Sequence, residues 1–384
     1  MRPGGGQLQL TCFAADGASI SPERLQPRPA VRELVFIGTH LPVDDIDRRI
    51  LSWRAAQMPL HAELWLLLLN ESPGPEEERQ AATISHAVGA ASCVWTPDQV
   101  FWRLPLLHKS MSELRAYIEE EDEHLRRYYW MHASLLLWND TLAHAYPNYQ
   151  SLWRIEPDVM FSGNMSSLLA LSARVPSDLL LPVYVRREWD RRMGRLRLHT
   201  RTRGKAAKNN PYNSKYSSKN LTYYHWDTHE ELLEDYPPQA LLRALVSISR
   251  LSRRFLSLFY DEYWSRGRVM YEEIGLPVAC FSAGAARCVP GAWLPTIPGV
   301  PGVRMATHFR FRPAYDCDDF LDALAADTRE IWHPLKRREC VATAVIPLGG
   351  ARGGVRGWPI MLRGRPRPRS AGRPDPDPAD EEEE

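Results

Sequence analysis

The stretch Trp153-Arg154-Ile155-Glu156-Pro157-Asp158-Val159-Met160-Phe161 decides how this chain is read. Side chains two apart on a strand point to the same side, so Trp153, Ile155 and Val159 share an apolar face while Arg154, Glu156 and Asp158 share a polar one. Pro157 has no N–H for a ladder and is tolerated at strand ends and edges. The strand is therefore expected to stop here with Glu156 and Asp158 at its carboxyl end, where ligands bind in open α/β sheets. Two neighbouring carboxylates repel unless a cation sits between them, and an all-oxygen pair suits a hard ion such as Mg2+ or Mn2+ that also takes phosphate oxygens. One reading is a metal–diphosphate site; the other is a solvated strand end in which Arg154 and Glu156 form a plain ion pair.

Upstream, Leu34-Val35-Phe36-Ile37-Gly38 is an apolar run of the buried parallel-strand type. A loop, Thr39-His40-Leu41-Pro42, follows it and offers Thr39 as a donor-binding candidate. Next come a helix from about Asp44 to Ala56, a strand from Glu63 to Leu69, a polar helix from Glu76 to Val88 and a strand from Ala91 to Trp95. Strand and helix in alternation specify a mostly parallel sheet with helices on both faces, an α/β fold. Neither a P-loop nor a GxGxxG is present, so a glycine cradle for nucleotide is unsupported.

Further elements are expected at 125–146 (helix), 167–171 (helix, capped at Asn164), 179–184 (strand), 239–265 (long amphipathic helix), 278–281 (strand), 308–312 (strand) and 318–328 (helix). The run Glu119 to Glu123 reads as a solvated helix face. Residues 1–31 read as a flexible lead and 349–384 as a disordered tail, leaving one domain over 32–348. Between Arg186 and Lys219 there are twelve lysines and arginines against Glu188 and Asp190. That segment, extending to about residue 222, reads as an inserted basic loop, either solvated or closing over a negatively charged donor; Tyr223 to Asp227 after it could line a pocket.

Composition is that of an ordinary globular protein: 384 residues, 44% hydrophobic and 25% charged. A net charge of +1 gives no reason to expect nucleic-acid or membrane-surface binding. No apolar run is long enough to span a bilayer, and the first residues lack the apolar core of a signal peptide. The six cysteines show no CxxC spacing, which argues against a zinc ribbon or redox dithiol; Cys280 and Cys288 could pair in an oxidising compartment. Sequons at Asn70, Asn139, Asn164 and Asn220 matter only in a secretory lumen.

Two motifs carry a family resemblance. Trp153-Arg154-Ile155-Glu156-Pro157-Asp158-Val159 resembles the Tyr-Trp-Arg-Val-Glu-Pro strand of fungal α-1,2-mannosyltransferases of the Kre2/Mnt1 type, nucleotide-sugar glycosyltransferases of the GT-A fold. Tyr271-Glu272 with Gly275 and Pro277-Val278 resembles that family's Tyr-Glu-Arg-Trp-Gly segment; Glu273 stands where the family has Arg, Ile274 where it has an aromatic, and one residue is missing before Pro277. The resemblance implies a GT-A-like domain that moves a sugar from a nucleotide diphosphate donor to a glycan or protein hydroxyl. It implies Mn2+ or Mg2+ held at Glu156 with Asp158 and completed by a late histidine, His308 or His333, and a Golgi or secretory setting. It places Glu272 at the reacting centre, and Arg154 would keep Glu156 ionised or reach a phosphate. A strand approach there would turn Glu272 and Glu273 to opposite sides. The same carboxylates would also serve a phosphodiesterase or nucleotidyltransferase, and a degenerate scaffold that binds glycan or a partner would keep the fold alone.

Overall fold

The computed structural model describes residues 10–69, 74–107, 109–110, 132–190, 195–199, 235–268, 270, 272–303, 305, 307–309, 315, 317–335 and 338–345. The N-terminal half runs β1 (Thr11–Phe13), β2 (Ser19–Ile20), β3 (Glu33–His40), α1 (Asp45–Ala55), β4 (Ala62–Leu69), α2 (Pro75–Val88), β5 (Ala91–Trp95), α3 (Pro97–Arg103) and α4 (Ala133–Leu142). Then come β6 (Ser151–Ile155), β7 (Met160–Phe161), α5 (Met165–Ala173), β8 (Leu179–Asp190), β9 (Arg195–His199), β10 (Leu242–Ala244) and β11 (Ile248–Ser252). The chain finishes with α6 (Arg253–Glu262), α7 (Glu272–Ala283), β12 (Pro290–Leu294), β13 (Thr307–Phe309), α8 (Cys317–Ala325), β14 (Ile331–His333) and α9 (Glu339–Ala344).

The large sheet has the order β10-β8-β11-β6-β3-β4-β5-β1-β2, with β9 and β12 also paired to β8. Its centre, β6-β3-β4-β5, is parallel, and the strands flanking that centre add antiparallel pairs. The fold is α/β as expected, parallel at the core and mixed outside it. Leu34, Val35, Phe36 and Ile37 are all fully buried because helices cover both faces. On one face Phe36, Trp65 and Leu67 pack with Trp138 of α4, Phe255 of α6 and Leu276 of α7; on the other, Val35, Ile37 and Leu66 pack with Leu51 of α1, Ile84 of α2 and Leu168 of α5. A smaller sheet, β13-β14-β7, shares a third core in which Met160, Phe320, Trp332 and Leu335 meet Ile50 and Trp53 of α1. This second sheet brings residues 331–335 to the carboxyl end of β6.

Local chemistry accounts for the helix starts that the sequence foretold. The Asp44 side chain accepts the Asp47 N–H at the start of α1, Asn164 accepts the Ser167 N–H at the start of α5, and α2 ends on Gly89 in the left-handed region. Three expectations change. The long helix over 239–265 is instead β10, β11 and the shorter α6: Ile248 to Ser252 complete the sheet between β6 and β8, and that pairing outweighs helical propensity. Residues 278–281 lie in helix α7, where Ile274, Leu276, Val278 and Ala279 are buried all round, so their apolar run had no period to distinguish strand from helix. The region 284–302, without an expected element, contains β12 paired in parallel with β8.

The expected flexible lead is also corrected over residues 10–31. Although its composition is poor in apolar side chains, β1 pairs with β5, Cys12 is bonded to Cys93, and Leu10 and Val31 are buried. A few well-placed contacts and one crosslink suffice where periodicity is absent. Cys280 is paired with Cys288 and Cys317 with Cys340, so all six cysteines are in disulfides. Of the inserted basic segment, β8 and β9 form an antiparallel pair; its residues 200–222, the acidic run 119–123, the stretch 223–227 and the tail 349–384 lie outside the described residues. The Cys12–Cys93 bond spans a separation of 81 residues. Replacing Cys93 by Ala should lower unfolding free energy by about 2 to 4 kcal/mol, read from urea titration; an unchanged midpoint would show that β1 is not secured to the sheet.

Candidate metal centre

Strand β6 ends at Ile155, one residue before the carboxylates. The Glu156 N–H still reaches the Ser247 carbonyl at 2.8 Å, and the Val159 N–H then folds back to the Glu156 carbonyl at 3.1 Å, closing a turn around Pro157 and Asp158. The Leu335 N–H donates to the Asp158 carbonyl at 3.0 Å, which ties the turn to the segment after β14. Three elements thus fix the turn, and side chains from two of them converge.

His333, the last residue of β14, places Nε2 3.5 Å from Glu156 Oε2 and 3.7 Å from Asp158 Oδ1. One donor atom from each of Glu156, Asp158 and His333 lies within 4.8 Å of the others. Two carboxylate oxygens and an imidazole nitrogen form a set that a divalent ion such as Mn2+ accepts. Arg154, buried on the same strand, holds Nη1 3.6 Å from Glu156 Oε1, so the expected pairing of these two side chains is present at salt-bridge range.

Strand parity separates the two candidate histidines. His308 pairs with Trp332 across β13 and β14, one position before His333, and therefore faces the other side of the small sheet. Its ring stacks on Trp332 at 3.9 Å and its Nε2 lies 3.1 Å from Glu330. Thr39 sits near the carboxyl end of β3, where it lines a cavity of about 10 Å3 with Asp47, Arg54 and Pro157.

Both glutamates of the second motif are buried in the first turn of α7, not on an extended approach, so strand alternation does not assign them. Glu272 is engaged with His132: Oε1 accepts the His132 backbone N–H at 2.6 Å, Oε2 contacts His132 Nδ1, and His132 Nε2 lies 2.8 Å from Ser249 Oγ. Glu273 accepts from Arg243 Nε at 2.7 Å through Oε2. Burial pushes the Glu273 carboxyl up, the Arg243 charge offsets part of that rise, the negative charge of Glu156 adds to it, and His333 opposes it. Glu273 therefore lies in the field of the carboxylate–histidine cluster. Sequence reasoning set Glu272 ahead of Glu273 at the reacting centre and did not single out Arg243 or His132.

No family model matches the chain, and no curated protein matches its sequence. Among solved structures it is similar to core-mannan synthase A from Aspergillus fumigatus in its Mn/GDP form, at 15% identity over 76% of this chain and 79% of that one, with a TM-score of 0.34. Mouse xyloside xylosyltransferase 1 is 10% identical over 79% of this chain and 96% of that one (TM-score 0.31). The mannosyltransferase Ktr4p from S. cerevisiae in complex with GDP is 12% identical over 73% and 70% (TM-score 0.31). These neighbours are glycosyltransferases; at such identities the chemistry of this chain has to be read from its own residues.

Replacing His132 by Leu leaves the Glu272 carboxylate buried without its partner. The loss should be about 3 to 5 kcal/mol of stability, measured by denaturant unfolding, and a loss below about 1 kcal/mol would show that the pair contributes little to the fold.

Proposed function

We propose that this chain is a metal-dependent glycosyltransferase that moves a sugar from a nucleotide diphosphate donor to a hydroxyl acceptor. The observation that carries this is the convergence of Glu156, Asp158 and His333 at the carboxyl end of the central strand, in the motif that resembles the family's metal-associated strand. Glu156, Asp158 and His333 would hold the ion, with Mn2+ favoured over Mg2+ by the imidazole donor. When bound, such an ion offsets charge developing on a departing diphosphate.

The chain's own groups supply the rest. Arg154, two residues before Glu156, places a positive charge 3.6 Å from its carboxylate. We assign the acceptor side to Glu273 and give Glu272 a positioning part through His132. Glu273 Oε2 is held by Arg243, and the carboxylate would orient the acceptor hydroxyl and take its proton. A carboxyl with raised proton affinity is a better base near neutral pH than an ordinary one. Three disulfides support a secretory setting, and no helix among the described residues is long and apolar enough to cross a membrane.

Calorimetry with UDP and GDP, with and without Mn2+, tests the donor site. Binding should require metal, and Glu156→Gln or Asp158→Asn should weaken it while the fold survives; unchanged metal-dependent binding in both variants would remove the assignment. Transfer to a sugar acceptor then separates this reading from a phosphodiesterase, which would hydrolyse the donor without one.

For Glu273→Gln, turnover should fall about a hundredfold or more with nucleotide affinity nearly intact, and Glu272→Gln should act mainly on stability. Because the Glu273 carboxyl is raised above its ordinary 4.5, the base form is populated only at correspondingly higher pH. The acidic limb of the kcat/KM profile should therefore lie above pH 4.5 and be missing from the Gln variant's residual activity. The larger turnover loss appearing in Glu272→Gln would reverse the two roles.

A further inference from the structure

Arg54 is a buried cation in the last turn of α1, an amphipathic helix whose other inward residues are Ile50, Leu51 and Trp53. A lone arginine there is costly unless it is well engaged. Its Nη2 donates to the carbonyls of Val159 and, at 3.5 Å, Pro157, and lies 3.1 Å from Met160 Sδ. Those two carbonyls bracket Asp158. The carboxylates of Asp47 and Asp158 both favour the guanidinium charge, whereas burial and the neighbouring Arg338 oppose it, bringing the group down to about 10, so it remains charged at neutral pH. Asp47 is itself paired with Arg338 at the start of α9, so a chain of charges links α9, α1 and the turn.

The side chain has little room to leave. The cavity it lines beside Thr39, Asp47 and Pro157 is about 10 Å3, space for at most one water molecule. Nη2 therefore holds the backbone on both sides of Asp158, and the guanidinium charge lies in the field of the same carboxylate.

We propose that Arg54 is a positioning residue for the metal centre: by gripping the Pro157 and Val159 carbonyls it fixes the turn that aims Asp158 at Glu156 and His333. This rests on the metal reading of that cluster. Outer groups that orient ligands are worth about 10- to 100-fold in metal affinity, and a lysine stem is more flexible and less pre-organised than a planar guanidinium.

The test is Mn2+ affinity of the full chain without nucleotide, measured by electron paramagnetic resonance on samples whose near-ultraviolet circular dichroism matches the unaltered chain. Arg54→Gln should bind Mn2+ about 10- to 100-fold more weakly, and Arg54→Lys, which keeps the charge on a flexible stem that does not hold its donor in one place, should fall between the two. A folded variant with unaltered affinity overturns the proposal. Absence of Mn2+ binding by the unaltered chain instead overturns the metal reading, and this inference with it. Should both variants fail to fold, the unaltered chain decides: Mg2+ titration should shift the Arg54 guanidinium resonance, and an Arg54 signal unmoved at saturation overturns the proposal.

Discussion

Two carboxylates held at the end of a buried strand repel each other, and much of the surrounding structure acts to keep them together. Glu156 follows a strand paired on both sides, so its backbone has little freedom. Asp158 sits in a turn whose carbonyls are held by Arg54 and by the Leu335 N–H. Arg154 and His333 bring positive or neutral donors to within 4 Å. Such an arrangement is a donor set of the kind that a divalent ion suits.

The parallel centre of the sheet was legible because β3, β4 and β5 are short apolar runs separated by helices with ordinary caps. Each signal there is local and agrees with the next. The strand β6 was legible for a different reason, the alternation of Trp153, Arg154, Ile155 and Glu156 followed by proline. What escaped reading depended on distant partners. Ile248 to Ser252 look helical until two waiting strand edges are known, and Val278 to Phe281 look like a strand until the helix buried around them is seen. Residues 10–31 carry almost no pattern, yet a disulfide and a short strand attach them to β5.

The site shows the same division. Glu156 and Asp158 could be named because their spacing has a meaning on a strand, whatever the rest of the fold does. Choosing between His308 and His333 required the register of β13 against β14, which places them on opposite faces. Assigning Glu272 and Glu273 required knowing that both sit in a helix turn, where neighbouring residues are about 100° apart and not on opposite sides. Glu272 also bonds to His132, a contact between segments 140 residues apart that no motif announces.

His333 reaches the carboxylates from β14, late in the chain and in the smaller sheet, whereas Glu156 and Asp158 belong to the central sheet. During synthesis the central strands emerge first, and domains fold as their sequence becomes available. The acidic turn is therefore synthesised before the imidazole that completes it. Until residues beyond β14 have left the ribosome, the two carboxylates face each other without His333 and without the Leu335 N–H. A chain interrupted before β14 would carry Glu156 and Asp158 but not the third donor of the candidate site.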